Sequence, residues 1–234
     1  MIPVPARRNG AELLDLPEEQ EDDAEFEQGM ADIRAVNSWL GGIRSVLMHL
    51  PPLAGHGKEF SALDISTGTA DIPAAIARWA VRRGKRAFIA AMDFNPKVLR
   101  YASRSPKYAP GVRLVAGNAF SPPFREKGFD IVICSLTLHH FTEAEAVEVI
   151  KRARSLARKG IIIGDLRRSW VSFCLFKALS ALFMRNRFTR HDGPLSIMKS
   201  FTPAELEALA AQAGLKRFKI YRHIFWRMTL VATV

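Results

Sequence analysis

The chain predicts an α/β fold, a doubly wound, mostly parallel sheet of seven strands, and three observations lead there. Short apolar runs alternate with amphipathic stretches from residue 60 to residue 234. That is the pattern of parallel strands joined by crossover helices. One junction, Phe60 to Ala77, passes from an apolar run through Asp64-Ile65-Ser66-Thr67-Gly68-Thr69-Ala70 into a second alternating segment. It reads as strand, tight loop and helix. The small side chains of that loop let backbone N–H groups at the start of the helix approach a ligand closely. Finally, 234 residues suit one sizeable domain of this kind and are short for two.

Taken in order, residues 1–25 hold Pro3, Pro5, Gly10, Pro17 and the run Glu18 to Asp23. An acidic, disordered tail is expected there. From Phe26 onward Met30, Ile33, Val36 and Leu40, then Ile43, Val46, Leu47 and Leu50, recur at spacings of three and four. One or two amphipathic helices therefore precede the sheet, and Pro51-Pro52 should end them. The helix after the small-residue loop runs from Asp71 to about Arg83, with Gly84 as its stop. Ala87 to Asp93 is a short apolar run closed by an acid, suited to a buried strand. Pro96 opens the next helix, through Ser103. Val112–Ala116, Phe129–Ser135 and Gly160–Asp165 read as further strands, with a helix from Glu143 to Ala157 before the last. Thr202-Pro203-Ala204-Glu205 carries capping-box chemistry for a late helix. Phe218–Tyr221 and Met228–Val234 read as the final strands.

The net charge of +11 is unevenly placed. Residues 1–35 hold ten acids and three bases, so residues 36–234 carry thirteen acids and thirty-one bases, a balance of +18. Such a field favours anionic partners, whether nucleic acid, an acidic lipid surface or a charged small substrate, and bears on association rather than chemistry. Cys134 and Cys174 stand in apolar runs, which predicts buried thiols rather than a disulfide. With no basic and apolar leader in the opening residues, a cytoplasmic location is the expectation.

In a doubly wound sheet, ligands bind beyond the C-terminal ends of the strands. Four such ends finish in polar or small residues: Asp64 to Ala70, Asp93-Phe94, Gly117-Asn118-Ala119, and Ser135 to His140. An acid about 25 residues beyond the small-residue loop stands where ribose hydroxyls are recognised in such folds. Asp93 is the expected ribose ligand.

The order Leu63-Asp-Ile-Ser-Thr-Gly-Thr-Ala70, Ala91-Met-Asp93, Gly117-Asn-Ala119 and Phe129-Asp-Ile-Val-Ile-Cys-Ser-Leu-Thr-Leu-His-His-Phe141 resembles the class I S-adenosylmethionine-dependent methyltransferases. Within them it is most similar to the small-molecule branch that includes the ubiquinone and menaquinone methyltransferases. The resemblance covers about residues 35–234 and implies the Rossmann-like methyltransferase fold, a domain over 26–234, and S-adenosylmethionine (SAM) as cofactor. It maps Asp64, Ser66, Thr67, Gly68, Thr69 and Ala70 onto the family's glycine-rich loop, and Asp93 and Phe94 onto its ribose acid. Asn118 and Ala119 map onto its adenine edge, and Ser135 onto the segment after its fourth strand. Two departures stand out: Ser66-x-Gly68-x-Ala70 replaces Gly-x-Gly-x-Gly, and Asn118 replaces an acid. Ser66 lacks the ease of glycine at positive φ, and Asn118 keeps a carbonyl oxygen that can accept from the adenine amino group. Asp71 at the helix start would repel a pyrophosphate, which speaks against a dinucleotide.

For the acceptor side, methyl transfer needs the nucleophile held against the methyl in a dry site, and a base for a phenol or enol. His139, His140 and His191 are the candidate bases. His140, Asp165, Arg190 and His191 are the candidate substrate contacts, with His191 placed in a polar loop, Arg187 to Pro194. No His, Asp or Glu cluster shows ligand spacing in the chain, so no metal is expected. Ser169 to Met184 is a helix apolar almost all round, flanked by arginines, within a lid insertion at about 167–200. It is too short, and interrupted by Lys177, to span a bilayer. A lid over a hydrophobic pocket, an element resting on an anionic membrane, and a core or dimer contact stay open for it. The expected activity is methylation of a hydrophobic small molecule, quinone-, polyketide- or lipid-like, at oxygen. Carbon methylation of a quinone-type ring, RNA methylation and a non-catalytic binding protein are the alternatives. The segment after the fourth strand, Ser135 to Phe141, does not carry the Asn/Asp/Ser-Pro-Pro-Tyr/Phe signature of exocyclic-amine methylation, and the match Ser121-Pro122-Pro123-Phe124 precedes that strand, so nucleic acid is not the expected partner.

Overall fold

A computed structural model describes residues 4–13, 23–105, 109, 111–183 and 186–234. Strands β1 (Glu59–Ile65), β2 (Arg86–Asp93), β3 (Val112–Ala116), β4 (Phe129–Ser135), β5 (Ala157–Leu166), β6 (Phe218–His223) and β7 (Arg227–Thr233) form one sheet in the order β3-β2-β1-β4-β5-β7-β6. The first five are parallel, and β7 runs antiparallel to β5 and β6. Because β1 lies between β2 and β4, the order reverses there and a crevice opens at their C-terminal ends.

The central strands are apolar on both faces, as a covered parallel sheet requires. Leu63, Ile65, Val132, Cys134, Ile161 and Ile163 face one core, against α6 (Glu143–Leu156) and α9 (Pro203–Gln212). Ala62, Ile131, Ile133 and Ile162 face the other, against α2 (Gly42–Leu47), α3 (Leu50–Ala54) and α4 (Asp71–Arg82). Each fully buried aliphatic side chain contributes about 1.5–3 kcal/mol relative to exposure. Helix α5 (Pro96–Arg104) starts at Asn95, whose side chain accepts from the N–H groups of Lys97 and Val98. Thr142 with Glu145 and Thr202 with Glu205 form full capping boxes on α6 and α9.

Several expectations change. Pro51-Pro52 does not end a helix: the two prolines fall in the first turn of α3, where their missing N–H groups cost no hydrogen bond. Strand β5 begins at Ala157 rather than Gly160, because Arg158 and Lys159 both pair with Asp130 of β4 and hold the extended chain at its side. The expected polar loop 187–194 is part of a helix, α8 (Arg187–Lys199), despite Gly193-Pro194. Asn186 caps it, and Phe188, Ile197 and Met198 bury one side. Of the expected loose tail, residues 4–13 lie against the domain. Arg7 donates to the carbonyls of Lys199 and Phe141, both at 2.6 Å, and Leu13 N–H donates to Asp192 Oδ1 at 2.9 Å. The rest of that expected tail, 1–3 and 14–22, lies outside the described residues.

The segment expected as a lid is two helices, α7 (Trp170–Phe183) and α8, packed on each other. They approach closely at Gly193, where a Cβ would stand 2.1 Å from Phe176 Cε1. Helix α1 (Asp23–Trp39) touches α8 from the other side. Among the described residues no helix is long and apolar enough to cross a membrane.

Candidate active site

The small-residue loop is pinned by its own acids. Asp64 Oδ2 accepts from Thr67 Oγ1 at 2.7 Å, and Asp93 Oδ2 accepts from Gly68 N–H at 2.9 Å. Asp93 Oδ1 also accepts from Asn95 N–H. Ser66 (φ 55°) and Ala70 (φ 53°) both take the left-handed conformation beside Gly68 (φ 54°). The reluctance expected of Ser66 is thus overridden by the bonds holding the turn, at about 1–2 kcal/mol per non-glycine residue.

Three buried polar atoms around this loop have no hydrogen-bond partner: Asp64 Oδ1, Asp71 Oδ2 and Arg34 Nε. Burial, then neighbouring Asp71 and Asp93, push the Asp64 carboxyl up to about 8, against the Thr67 hydrogen bond. Burial likewise raises Asp71 and Asp93. Arg34 reaches in from α1, donating to Thr69 O at 3.3 Å and lying over Tyr101. Orphaned acids beside an orphaned guanidinium nitrogen fit a ligand that carries both a cation and a carboxylate, and SAM carries an ammonium, a sulfonium and a carboxylate.

Of the other residues expected to touch the cofactor, Ala119 is buried, Phe94 is 76% exposed and Asn118 is exposed. Asn118 Oδ1 already accepts from Phe120 N–H at 2.9 Å, so a second lone pair and the amide N–H groups are what it presents outward. Ser135 is half-buried at the end of β4, beside Gly164.

Beyond the loop, a cavity of about 250 Å³ opens between α1, α7, α8 and the β6–β7 turn. Its wall is apolar: Ile33, Val36, Leu40, Leu136, Leu166, Leu175, Phe176, Leu179, Phe188, Ile197, Phe225 and Trp226. A polar group of Glu12, Asn37, His139, His140, Asp192 and Arg227 interrupts it. His139 is 3% exposed, and its Nδ1 lies 2.7 Å from Asp165 Oδ1. Asp165 also accepts from the N–H groups of His139 and Leu166. A carboxylate oxygen only accepts, so this contact suits Nδ1–H as the donor, the tautomer that directs the Nε2 lone pair away from Asp165. Leu136, in the left-handed conformation (φ 55°), turns the chain from β4 into the short 3₁₀ turn Leu138–His140 that places this ring.

The candidate residues therefore separate. His139 and His140 line the cavity, their rings 4.4 Å apart. Asp165, expected to touch substrate, sits behind His139, 2% exposed. Arg190 and His191 are exposed on α8 and stand outside the cavity wall; His191 Nδ1 is 2.8 Å from Asp192 Oδ1. Their helix turns Asp192 inward instead.

Sequence reasoning missed Glu12, Arg34, Asn37, Lys199 and Arg227. Arg227 carried a signal, as a lone charge between Trp226 and the apolar run from Met228. Burial lowers its pKa to about 10 against the opposing pull of Asp165 and Asp71, and it donates to Leu40 O at 2.7 Å. Glu12 carried none. The fold brings it to His139 and His140, with ligand atoms within 4.8 Å of one another, a donor set that chain spacing hid. Lys199 Nζ stands 3.1 Å from Glu12 Oε1 and already neutralises that carboxylate, although without hydrogen-bond geometry.

Comparison with known proteins gives a consistent picture. Residues 62–160 match the model of a methyltransferase domain. Demethylmenaquinone methyltransferase of Staphylococcus aureus is 24% identical over 131 residues, 56% of this chain and 52% of that one. The chain thus spans about half the length of the curated relatives it matches. Among solved structures, human N-acetylserotonin methyltransferase in complex with SAM superposes with a TM-score of 0.68 at 18% identity, over 93% of this chain and 60% of that one. An O-methyltransferase family 2 protein from Planctomyces limnophilus, in complex with apigenin, gives 0.64 at 15% identity, over 94% and 64%. At these identities the structures speak for the fold.

Proposed function

We propose that this chain, a member of the class I SAM-dependent methyltransferases, transfers a methyl group from SAM to an oxygen of a hydrophobic phenol or enol, with His139 as general base. The observation that carries the proposal is His139, backed by Asp165, in the wall of a mainly apolar cavity. SAM supplies an electrophilic methyl on a sulfonium. The chain supplies the rest. Asp93 would accept from the ribose hydroxyls, Asp64 and Asp71 would face the cationic groups, and Arg34 would take the carboxylate. The apolar wall excludes water and holds the acceptor ring in line with the methyl. His139 Nε2 then takes the acceptor's proton, and Asp165 stabilises the imidazolium that results.

The cavity supports an acceptor of limited size. Sites for drug-sized ligands run to roughly 300–1,000 Å³, so one or two fused rings fill this one and any longer substituent has to leave through the mouth. The quinone-type relative and the apigenin complex point to acceptors of the same character.

Calorimetry with SAM and S-adenosylhomocysteine, followed by transfer of labelled methyl to a series of hydrophobic phenols and quinols, tests the reading. The expected result is cofactor binding that Asp93→Ala abolishes, and label on oxygen by NMR. Label on ring carbon would replace the oxygen assignment. Binding undiminished in Asp93→Ala, or no binding at all, would overturn the cofactor site.

A further inference from the structure

Helix α7 is amphipathic in the reverse sense for a surface helix. Its small polar residues Ser172 and Ser180 are buried, 5% and 2% exposed, and satisfy their hydroxyls on the carbonyls of Ser169 and Lys177. Its large apolar residues point out: Val171, Leu175, Leu179 and Leu182 are 43%, 46%, 39% and 76% exposed, spaced by four, four and three. Surface helices in water do the opposite. The β6–β7 turn adds Ile224 and Phe225, 66% and 46% exposed. Leu175, Leu179 and Phe225 belong also to the cavity wall, so the apolar surface runs continuously from the outside of the protein through the mouth to His139.

The sequence around this surface is rich in cations, of which Arg168 and Arg187 are paired with Glu205 and Glu25. Between Asp165 and Asp192 the chain holds six Lys and Arg and no acid, and from Ala208 to Val234 it again holds no acid. Lys177 lies on α7 itself, over Phe173, and Arg167 and Arg222 flank the turn, where burial first and then the neighbouring Arg222 lower the pKa of Arg167. Apolar side chains directed outward among cations match an anionic lipid headgroup layer, with leucines reaching into the acyl boundary. A second copy of the chain matches less well, since a two-fold contact would bring two like-charged faces together.

We infer that this face docks on an anionic bilayer and that the cavity receives its acceptor from the lipid phase, the aromatic head against His139 and an aliphatic chain trailing through the mouth between α7 and the β6–β7 turn. The inference rests on the acceptor cavity assigned above, while the docking itself does not depend on methyl transfer.

Co-sedimentation of the full chain with phosphatidylcholine vesicles, with and without about 30% phosphatidylglycerol, tests it. Wild type should pellet with the anionic vesicles and be released by salt. Leu182→Glu with Ile224→Glu, at positions outside the cavity wall, should cut vesicle affinity about ten-fold or more by placing carboxylates at the bilayer surface. SAM affinity, measured by calorimetry on the same preparations, should stay unchanged and shows that the variant is folded. Wild type that ignores anionic vesicles, or a double variant that binds them equally, overturns the inference. So does a wild-type dimer that the double variant converts to monomer, since a second copy would then cover the face. A protein that binds SAM but no vesicles sinks docking and leaves the proposed function standing; one that docks without binding SAM does the reverse.

Discussion

The cofactor half and the acceptor half of this molecule are built on opposite plans. The first is made at the ends of neighbouring parallel strands: Asp64, Thr67, Gly68 and Asp93 lie within one stretch of 30 residues, Thr67 donating to Asp64 and Gly68 to Asp93. The second gathers Glu12, Asn37, His139, Lys199 and Arg227 from nearly the whole length of the chain. A site of the first kind is fixed by backbone and small residues. One of the second kind depends on how helices α1, α7 and α8 are laid over the sheet, which leaves its walls free to differ while the strand ends stay the same.

Three tests sharpen that contrast, from the largest expected effect to the smallest. Replacing His139 by Gln should lower kcat by about 10²–10⁴ while leaving SAM affinity within error. Asp165→Asn should follow it, because an amide can offer N–H to Nδ1 and favour the wrong tautomer. Steady-state kinetics beside calorimetry read both, and a variant with full kcat would mean that placement alone drives transfer.

The second addresses the cofactor half through Asp64. With its carboxyl pushed up to about 8, the empty folded protein holds a proton at neutral pH that the unfolded chain, with an ordinary carboxyl near 4, has released. The sign follows: this group's contribution to stability falls as pH rises from about 4 to about 8. A cation bound beside Asp64 favours the carboxylate, so SAM binding should release a proton and tighten as pH approaches 8. Calorimetry in buffers of differing ionisation enthalpy measures that release. Proton uptake, or none, would remove Asp64 from the cation site.

The smallest effect concerns the strained turn. Ser66→Gly with Ala70→Gly should raise stability by about 1 kcal/mol in total, relief of left-handed strain being partly offset by the greater freedom of glycine in the unfolded chain. Thermal unfolding without ligand measures this. A fall in stability would mean that Ser66 and Ala70 make contacts worth more than their strain.

How far each half could be read in advance follows from the same difference. The succession of strands, the Asp93 acid and the Thr202–Glu205 capping box are legible because each rests on residues close in sequence whose local chemistry has few alternatives. His139 was one candidate among three, since nothing local shows that Asp165, 26 residues on, stands behind it. Arg190 and His191 were read as loop residues because Gly193-Pro194 is a turn signal; the buried side of α8 outweighs it. Glu12 sits in a segment read as a loose tail, and its neighbours gave no sign of burial. The inverted face of α7 was visible only as an excess of apolar residues, with no way to tell which side the serines took.

The passage from α6 into β5 has a further consequence. Leu156 ends the helix and Ala157 begins the strand with no residue between, while an irregularity in register opposite Phe129–Ile131 absorbs the one step by which β5 would otherwise be out of line with β4. Helix and strand are therefore locked in phase. A single residue inserted at that junction would either turn α6 by about 100° against the sheet or advance β5 by one place and send every side chain to the opposite face. The second outcome would carry Asp165 away from His139. The seam at residues 156–157, at the opposite end of β5 from Asp165, thus sets the angular timing of the His139–Asp165 pair.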